Sequence, residues 1–481
     1  MITFDCNKKG NKLLIQCEDP SIFEHLREQF SVLNPNATFI QRKFGRGFKV
    51  PARKYVITPT GQCELGLFWE IKQKLIKDQI TVPITVTDNL KSVLLRGNMW
   101  DLHTDFTLDL RDYQRDVVEK ALTVGWGTCV LGTGAGKTFT TAALIENYYR
   151  NSKNNNTFKC LVVVPDLGLV NQTFDEFNAC GITFSLSKWT GSIELDTTSN
   201  VIICNAGILQ SRFDQNDWIK FVDLLVLDEC HKVKSDSKLS KIVSEIKTVN
   251  RYGFTGTLPV DQFDKWHIIG KLGPVLYEKS SYDLRQEKFL SNVEVKVLNI
   301  NYGKVTIPKI SDNKYYNELL FLHDYEPRNN IIAKLANQLT NNTLILVNRI
   351  AHGEALYNHL CKTVKDKQIF FIQGSVGVDT RDEIKKLMEE HNNVVCIAIS
   401  AIFSTGINIK NLNNILFAAG GKAFIRTVQS IGRGLRLHEN KLKLFIFDLC
   451  DVLKYGLQHG EKRKLIYDKE KIPWKSMEIN I

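Results

Sequence analysis

Short, wholly apolar runs separated by helix-like stretches recur from about residue 108 onward, and this pattern constrains the fold most strongly. Strands that are covered on both faces of a parallel sheet have this composition, because neither face meets water. The sequence therefore predicts an α/β protein with two tandem, doubly wound parallel-sheet lobes. The predicted strands are 128–131, 160–164, 201–204 and 224–227 in the first lobe, and 343–347, 369–372, 394–399, 415–418 and 444–447 in the second.

The first hundred residues lack this pattern and combine short alternating segments with helix-like stretches near 22–30 and 66–80. We therefore expect a small α/β N-terminal domain before the two lobes, since 481 residues suffice for three domains of about 150 residues each. The predicted domain boundaries are 1–104, 105–284 and 285–481. The stretch 282–328 has few apolar runs and is expected to join the two lobes.

The composition favours an intracellular protein with a polyanionic partner. The excess of 63 Lys and Arg over 52 Asp and Glu gives a net charge of +11, which by itself specifies no particular partner. The 11 cysteines form no C-x-x-C pair and several lie inside apolar runs, which indicates reduced core thiols and neither disulfides nor a zinc site. No apolar run approaches the ~20 residues that span a bilayer, and the N-terminus is unlike a signal sequence. We expect a cytoplasmic protein that contacts no membrane.

A glycine-rich loop lies between the predicted strand that ends at residue 131 and a helix-like run through residue 149. Its residues are Gly132, Thr133, Gly134, Ala135, Gly136, Lys137 and Thr138. Glycines let the backbone curl until several N–H groups point at phosphate oxygens, and the following helix N-terminus adds partial positive charge. Lys137 would reach the β- and γ-phosphates of ATP, and the Thr138 hydroxyl would bind Mg²⁺. Leu131 stands where the general pattern has glycine, so the segment is a variant of the P-loop.

Two carboxylates, Asp228 and Glu229, end an apolar strand about 90 residues after this loop. At a strand tip, Asp228 can hold Mg²⁺ largely through water, and Glu229 can polarise the water that attacks the γ-phosphate. A solvated strand end is the ordinary interpretation of such a pair, but the preceding P-loop favours the catalytic one. His231 completes a D-E-x-H sequence and is expected to relay between the ATP site and nearby polar groups instead of binding metal.

A basic segment near the C-terminus contains Gln429, Arg433 and Arg436. Arginines three positions apart share one face of a helix. Contributed from the second lobe, both guanidinium groups can neutralise charge on the transferring γ-phosphoryl group, and Gln429 can position the attacking water. Alone, the segment could be an exposed basic helix. Together with the two preceding motifs it predicts a catalytic role.

In this order, the motifs resemble those of the superfamily 2 helicases over about residues 111–451. The resemblance implies two RecA-like (P-loop) lobes that use ATP to move along nucleic acid. It implies nucleotide binding by Arg111, by Gln114, which would read the adenine, and by Gly406. Thr255 lies in a segment that resembles the motif linking ATP state to strand grip. The segments that grip the strand would contribute Pro165, Asn205, Arg349 and Thr405.

Within the superfamily, the chain resembles the UvsW-type recombination helicases of bacteriophages, including Arg46-Gly47-Phe48 and Gly66-Leu67 in the first block. This resemblance implies an ATP- and Mg²⁺-dependent DNA helicase that remodels branched DNA by branch migration, fork regression and displacement-loop unwinding. Residues 41–55 contain six basic residues and no acid. We expect Arg42, Lys43 and Arg46 to hold branched or forked DNA, with a solvated hairpin as the alternative. The sequence indicates no obligate protein partner.

Three other functions stay open at this point. The D-E-x-H core does not distinguish a DNA helicase from an RNA helicase. A motor subunit of a restriction system would carry the same motifs, with its nuclease on another chain. A non-hydrolysing DNA-binding scaffold with a relic ATP fold is disfavoured by intact Lys137, Glu229 and Arg436. Near the C-terminus, the basic run 461–464 is interpreted as a solvated helix surface.

Overall fold

The computed structural model describes residues 1–34, 37, 51–107, 109–235, 237–373, 378–400, 409, 411–418 and 443–481. The described chain divides into two compact units. The first comprises Met1–Leu131 and Gly136–Glu278, and the second comprises Gly132–Ala135 and Lys279–Ile481. The N-terminal block and the first predicted lobe thus lie together in one unit.

The N-terminal block is a small α/β structure, as predicted. Its four-stranded sheet has the order β5-β2-β1-β6, in which β1 is antiparallel to β2 and parallel to β6. A separate antiparallel pair joins β3 to β4. The strands are β1 Ile2–Cys6, β2 Lys12–Cys17, β3 Ser31–Leu33, β4 Arg53–Tyr55, β5 Gln62–Glu64 and β6 Ile84–Val86. The helices are Pro20–Gln29, Phe68–Lys77 and Asp88–Leu94, and the first two confirm the predicted helix-like stretches.

The first lobe is built on a seven-stranded sheet with the order β13-β7-β12-β11-β8-β10-β9, parallel from β7 to β9. All four predicted strands are present and buried, which confirms the parallel-sheet interpretation. The strands are β7 Gly127–Leu131, β8 Cys160–Val164, β9 Leu186–Trp189, β10 Val201–Asn205, β11 Leu224–Asp228, β12 Arg251–Thr255 and β13 Val275–Lys279. The helices are Asp112–Val124, Lys137–Arg150, Leu167–Ala179, Ala206–Arg212, Lys238–Glu245 and Gln262–Leu272.

The second lobe is built on another seven-stranded parallel sheet, with the order β16-β17-β15-β18-β19-β14-β20. Its strands are β14 Asn292–Asn301, β15 Thr343–Val347, β16 Gln368–Ile372, β17 Val394–Ile399, β18 Asn414–Phe417, β19 Lys443–Asp451 and β20 Trp474–Asn480. Its described helices are Ser281–Gln286, Lys314–Asp324, Glu326–Gln338, Ile350–Thr363, Val378–Glu390 and Lys454–Lys469.

The expectation that 282–328 merely joins the lobes is wrong. The segment contributes β14, a ten-residue strand that pairs with β19 on one side and β20 on the other. Val293, Val295 and Val297 are buried, while Glu294 and Lys296 between them are half-buried. Because polar and apolar residues alternate, the strand has no wholly apolar run, and the pattern that identified its neighbours could not identify it.

The solvated-surface interpretation of 461–464 is wrong for Arg463. This residue lies on the helix Lys454–Lys469 and is only 2% exposed. Its Nε donates to Oδ2 of the buried Asp448 carboxylate at 2.9 Å, and its Nη2 lies 2.9 Å from Oδ1 of the same group. The Tyr467 hydroxyl also donates to Oδ2, at 2.9 Å. The carboxylate compensates the buried charge. Asp448 lies 15 residues earlier on β19, and the local charge pattern does not show that the helix places Arg463 against that strand.

The N-terminal block and the first lobe share one hydrophobic core. Phe4 and Phe68 of the block belong to the same buried cluster as Trp126, Trp266 and Ile269 of the lobe. The two backbones also approach closely, because a Cβ added at Gly66 would lie 2.0 Å from the Ile269 carbonyl oxygen. A shared core of this kind makes the block part of the ATP-binding lobe and not a freely tethered domain.

Nine of the 11 cysteines are buried, including those expected in the core from their position in apolar runs, whereas Cys17 is half-buried and Cys361 is exposed. Cys129, Cys160, Cys204 and Cys396 are fully buried, and all 11 cysteines are free thiols. Burial raises the pKa of the Cys129 and Cys396 thiols to about 12. Within the described part of the chain, no helix is both long and apolar enough to cross a bilayer.

Candidate nucleotide and nucleic-acid site

The carboxyl edge of the first-lobe sheet gathers the predicted site residues of that lobe. In parallel strands all carboxyl ends meet at one edge, where ligands of α/β proteins bind. Here β7 leads into the glycine-rich loop, β12 ends at Thr255 and β11 ends at Asp228. Pro165 follows β8, and Asn205 is the last residue of the neighbouring β10. The predicted ATP residues and strand-gripping residues thus share one edge.

The glycine-rich loop has the conformation that its glycines allow. Gly134 and Gly136 have φ angles of 87° and 74°, in the left-handed region that other residues rarely adopt. Gly136 is the N-cap of the helix that begins at Lys137. Ala135 donates its backbone N–H to the Gly132 carbonyl, with a separation of 3.1 Å, which closes the turn. The loop therefore leads directly into a helix N-terminus, the arrangement that binds phosphate.

Lys137 lies between this loop and the acidic strand end. Its Nζ is 3.7 Å from Glu229 Oε1 and donates to the Leu131 carbonyl at 3.4 Å. The Lys137 and Glu229 side chains are 14% and 27% exposed, so solvent reaches both groups. Glu229 has φ 48° and ψ 47°, a left-handed conformation that is uncommon outside glycine and that clusters at functional sites. The structure thus brings together the two groups predicted to bind and hydrolyse ATP.

The carboxyl group of Glu229 is held in its ionised form. Burial alone would raise its pKa, but the charge of Lys137 and the hydrogen bond from His231 outweigh burial and lower the pKa to about 2. A carboxylate that stays ionised at neutral pH can orient and polarise a water molecule through its lone pairs. This electrostatic state fits the predicted role of Glu229.

His231 connects Glu229 with Thr255. Its Nδ1 lies 3.2 Å from Glu229 Oε2 and 2.9 Å from the Thr255 hydroxyl oxygen. That hydroxyl donates its proton to the Thr257 carbonyl at 2.9 Å, and the ionised carboxylate can only accept. Nδ1 must therefore carry a proton and donate to both oxygens. The relay role expected for His231 thus has a geometric basis, because the ring joins the carboxylate to the end of β12.

Asp228 and Thr138 supply the oxygen atoms that the predicted Mg²⁺ site requires. Thr138 is the second residue of the loop's helix, and Asp228 ends β11; both side chains are half-buried. Asp228 Oδ1 accepts the backbone N–H of Glu229 at 2.9 Å, which orients the carboxylate. A hydroxyl and a carboxylate beside a phosphate-binding loop fit Mg²⁺, which prefers oxygen ligands and completes its shell with water and phosphate.

Gln114 is buried against the glycine-rich loop. Its Oε1 accepts the backbone N–H of Arg111 at 2.9 Å, and its Nε2 donates to the Gly136 carbonyl at 3.4 Å. The Arg111 side chain donates to the Tyr113 hydroxyl at 3.1 Å. This segment therefore supports the phosphate loop from the side. Adenine recognition by Gln114 stays a prediction.

In the second lobe, Arg349 follows β15 and is the N-cap of the helix Ile350–Thr363. Its side chain is half-buried, with Cζ 4.8 Å from the centre of the Tyr316 ring. Tyr316 was not identified from the sequence, since nothing local marks it as the support of an arginine 33 positions away. The other predicted site residues lie outside the described residues: Arg42, Lys43, Arg46, Thr405, Gly406, Gln429, Arg433 and Arg436.

Two family models match the chain. "Type III restriction enzyme, res subunit" matches residues 107–260, which span most of the first lobe. "Helicase conserved C-terminal domain" matches residues 327–438. The matches are tandem and follow the order of the two lobes.

Curated relatives include the ATP-dependent DNA helicase uvsW of Enterobacteria phage T4, which is 26% identical over 397 residues that cover 77% of each chain. Putative helicase 22 of Sulfolobus islandicus filamentous virus is 24% identical over 80% of this chain and 69% of its own length. Among solved structures, a fragment of a putative HsdR subunit of a type I restriction enzyme from Vibrio vulnificus YJ016 covers 89% of this chain and 76% of its own. With a TM-score of 0.58 and 16% identity, it shares the fold.

The tandem family matches and the helicase relatives agree with the paired RecA-like lobes. They also agree with the arrangement of Lys137, Glu229 and His231 at the edge of the first sheet. The chain belongs to the superfamily 2 helicases and is an ATP-hydrolysing helicase.

Proposed function

We propose that the protein uses ATP hydrolysis to remodel branched DNA, by branch migration, fork regression and unwinding of displacement loops. The observation that carries the proposal is the shared core between the N-terminal block and the ATP-binding lobe. A DNA junction that contacts the block moves with that lobe in every ATP cycle. The relation to the phage T4 protein named as an ATP-dependent DNA helicase supports DNA as the substrate.

In the proposed ATP site, the loop N–H groups and Lys137 bind the β- and γ-phosphates. Glu229 orients the attacking water and accepts its proton, since the carboxylate is ionised at neutral pH. Mg²⁺ held through Thr138 and Asp228 would neutralise phosphate charge. Gln429, Arg433 and Arg436 are proposed to act on the γ-phosphoryl group from the second lobe.

The proposed coupling runs through His231. Loss of the γ-phosphate changes the charge next to Glu229, and the ring of His231 joins Glu229 to Thr255. Pro165 and Asn205 lie at the same sheet edge, which makes them the proposed strand contacts of the first lobe. Arg349 and Thr405 are the proposed contacts of the second lobe, and Arg42, Lys43 and Arg46 the proposed junction contacts.

The test compares ATP-dependent processing of forks, displacement loops and four-way junctions with that of plain duplex DNA. We expect branched substrates to be processed and plain duplex of the same length to be largely untouched. Glu229→Gln serves as the matched hydrolysis-deficient control. Equal processing of plain duplex would contradict the proposal, and so would stronger ATPase stimulation by RNA than by DNA of the same sequence.

The motor subunit of a restriction system is the second candidate. It is favoured by the res-subunit match over residues 107–260 and by the fold shared with the HsdR fragment. Such a motor would translocate along plain duplex and associate with nuclease and methyltransferase chains. Displacement of a third strand from plain duplex, with no preference for branched DNA, would favour this candidate.

A further inference from the structure

A basic groove lies within the first unit, where the N-terminal block meets the first lobe. We call it the junction groove. Six cationic side chains line it: Lys9, Lys12, Arg96, Lys247, Arg251 and Lys271. Glu64 is the one acidic residue among its described lining residues, so these side chains carry a net charge of +5. Such an excess of one sign in a concave site attracts an anion.

The two arginines of the junction groove are held by neutral groups. Arg96 donates to the Gly10 carbonyl at 3.0 Å and to the Val249 carbonyl at 3.4 Å, and so bridges the block and the lobe. Arg251 donates to the Ile246 carbonyl at 2.9 Å. Neither guanidinium forms an ion pair with a carboxylate in the described part of the chain. Burial and the neighbouring charge of Arg251 lower the pKa of Arg96 to about 10, and burial lowers that of Arg251 to about 10.

Glu64 cannot neutralise the two arginines in addition to the two lysines with which its carboxylate is already paired. Its Oε1 lies 2.7 Å from Lys12 Nζ and 3.7 Å from Lys271 Nζ. One carboxylate is thus already shared between two lysines. Burying like charges without counter-charge is unfavourable, so a groove with this composition gains stability when an anion enters.

The walls of the junction groove are rigid. The close approach of Gly66 to the Ile269 carbonyl fixes the block against the lobe. Arg96 also stacks over the Trp126 ring, with Cζ 4.8 Å from the ring centre, and Trp126 is only 2% exposed. Trp126 Nε1 is a buried donor without a partner among the described residues. A rigid, preformed site binds its ligand without an ordering cost.

The junction groove lies at the opposite end of the strands from the ATP site. Trp126 directly precedes β7, and Arg251 is the first residue of β12, whereas the P-loop and Thr255 lie at the carboxyl ends of the same two strands. The strands β7 and β12, which run between the two edges, are each five residues long, which corresponds to about 16 Å. A strand held at the carboxyl edge therefore does not occupy the groove, and a second arm of the same substrate is free to do so.

We infer that the junction groove is a second nucleic-acid site, which binds backbone phosphates of a duplex arm while the motor acts on a strand at the carboxyl edge. Guanidinium and ammonium groups match the charge and the oxygen geometry of phosphate, and their contacts are independent of base sequence. The inference rests on the proposed function, because it names where that function holds the second arm of a branched substrate.

The test uses Lys9→Glu/Lys247→Glu, since both lysines are exposed at the junction groove and neither makes an ion pair among the described residues. Lys8→Glu/Lys241→Glu is the matched control: it makes the same charge change at exposed positions that do not line the groove. The probes are a fluorescent fork, a plain duplex and a single strand. We expect the groove variant to bind the fork at least about tenfold more weakly. The negative slope of the logarithm of the binding constant against the logarithm of the salt concentration should become shallower by about 2. ATPase activity at saturating single strand stays at the wild-type level.

Fork affinity and salt slope equal to those of the control variant would overturn the inference. If wild-type protein shows no DNA-stimulated ATPase, the proposed function fails instead, and the two failures are thus distinguishable. A further experiment measures thermal unfolding of the wild-type protein and of both variants in the presence of inorganic phosphate. Stabilisation of wild type and control by phosphate, lost in the groove variant while fork affinity is unchanged, would assign the groove to a free anion and overturn DNA as its ligand.

Discussion

The imidazole of His231 and the hydroxyl of Thr255 lie in hydrogen-bond contact, with Nδ1 and Oγ1 2.9 Å apart. The same ring contacts Glu229, so one side chain joins the carboxylate at the end of β11 to the end of β12. In the proposed function, events at the γ-phosphate would change the position of a neighbouring strand end through this single residue.

We predict that His231→Ala separates ATP hydrolysis from nucleic-acid response. Basal ATPase activity should stay within about threefold of wild type, because Glu229 and Lys137 are retained. Stimulation of the ATPase by DNA should fall about tenfold, which corresponds to roughly 1.4 kcal/mol. A hydrogen bond to a charged group contributes about this much free energy, and the substitution removes the one between His231 and Glu229. Steady-state ATPase assays with and without single-stranded DNA measure both values.

Thr255 gives the matched control for this relay. Thr255→Val removes the hydroxyl at nearly constant shape and should reproduce the His231→Ala effect, whereas Thr255→Ser keeps the hydroxyl and should restore stimulation. Equal behaviour of the valine and serine variants would show that the hydroxyl plays no part in the coupling.

We predict that Glu229→Gln loses ATPase activity by about 10²- to 10⁴-fold, the range of general-base contributions. The amide keeps the shape of the side chain but cannot accept a proton from water. Binding of a fluorescent ATP analogue should survive, since Lys137 Nζ also has the Leu131 carbonyl as a partner. Single-turnover hydrolysis and equilibrium nucleotide binding measure the two properties. Hydrolysis within twofold of wild type would refute the catalytic role.

Gly136→Ala should abolish ATP binding without unfolding the lobe. The substitution places a Cβ 2.6 Å from Gln114 Nε2 and imposes a side chain on a backbone with φ +74°. The left-handed conformation alone costs about 1–2 kcal/mol for a residue with a Cβ. Gly191→Ala is the control, since no heavy atom lies within 4 Å of its added Cβ. Nucleotide affinity and circular dichroism of both variants check the prediction, and unchanged affinity in Gly136→Ala would contradict it.

Two kinds of feature could be predicted from the sequence: strands that share a recurring apolar pattern, and residues that belong to a recognisable motif. Strands such as Cys160–Val164 were found because both of their faces are buried, and the groups at the end of β11 were found because an acidic pair follows an apolar run. Strand Asn292–Asn301 was missed because its alternating residues lack that signature.

Groups that meet only through the fold were also missed. Arg463 and Asp448 form a buried ion pair between a helix and a strand, and the sequence shows only a charged residue in a basic run. The junction groove unites Lys12, Arg96 and Arg251 from distant segments, and nothing in the local sequence of any of them indicates that they meet. Local pattern carries no information on such pairings, because the ion pair depends on how the C-terminal helix packs on β19, and the groove depends on how the block docks on the first lobe.

Two stacked histidines in the second lobe predict a pH dependence of stability. The rings of His323 and His352 lie 4.3 Å apart and 9° from parallel, and both residues are buried. Burial, with the charges of Arg328 and Arg349, lowers the pKa of His323 from 6.5 to about 4. Burial, with His323 and Arg328, lowers the pKa of His352 well below 6.5. Both rings are therefore neutral in the folded protein at neutral pH.

Below pH 6.5 the unfolded chain takes up protons on both histidines, whereas the folded chain does not until pH approaches 4. The free energy of unfolding should thus decrease as pH falls through this window, by about 1.4 kcal/mol per pH unit for each histidine. Urea unfolding between pH 7.5 and 5 measures this slope. His323→Phe/His352→Phe keeps two stacked rings without titration and should reduce the slope. A double variant with the wild-type slope would show that the pair does not titrate on unfolding.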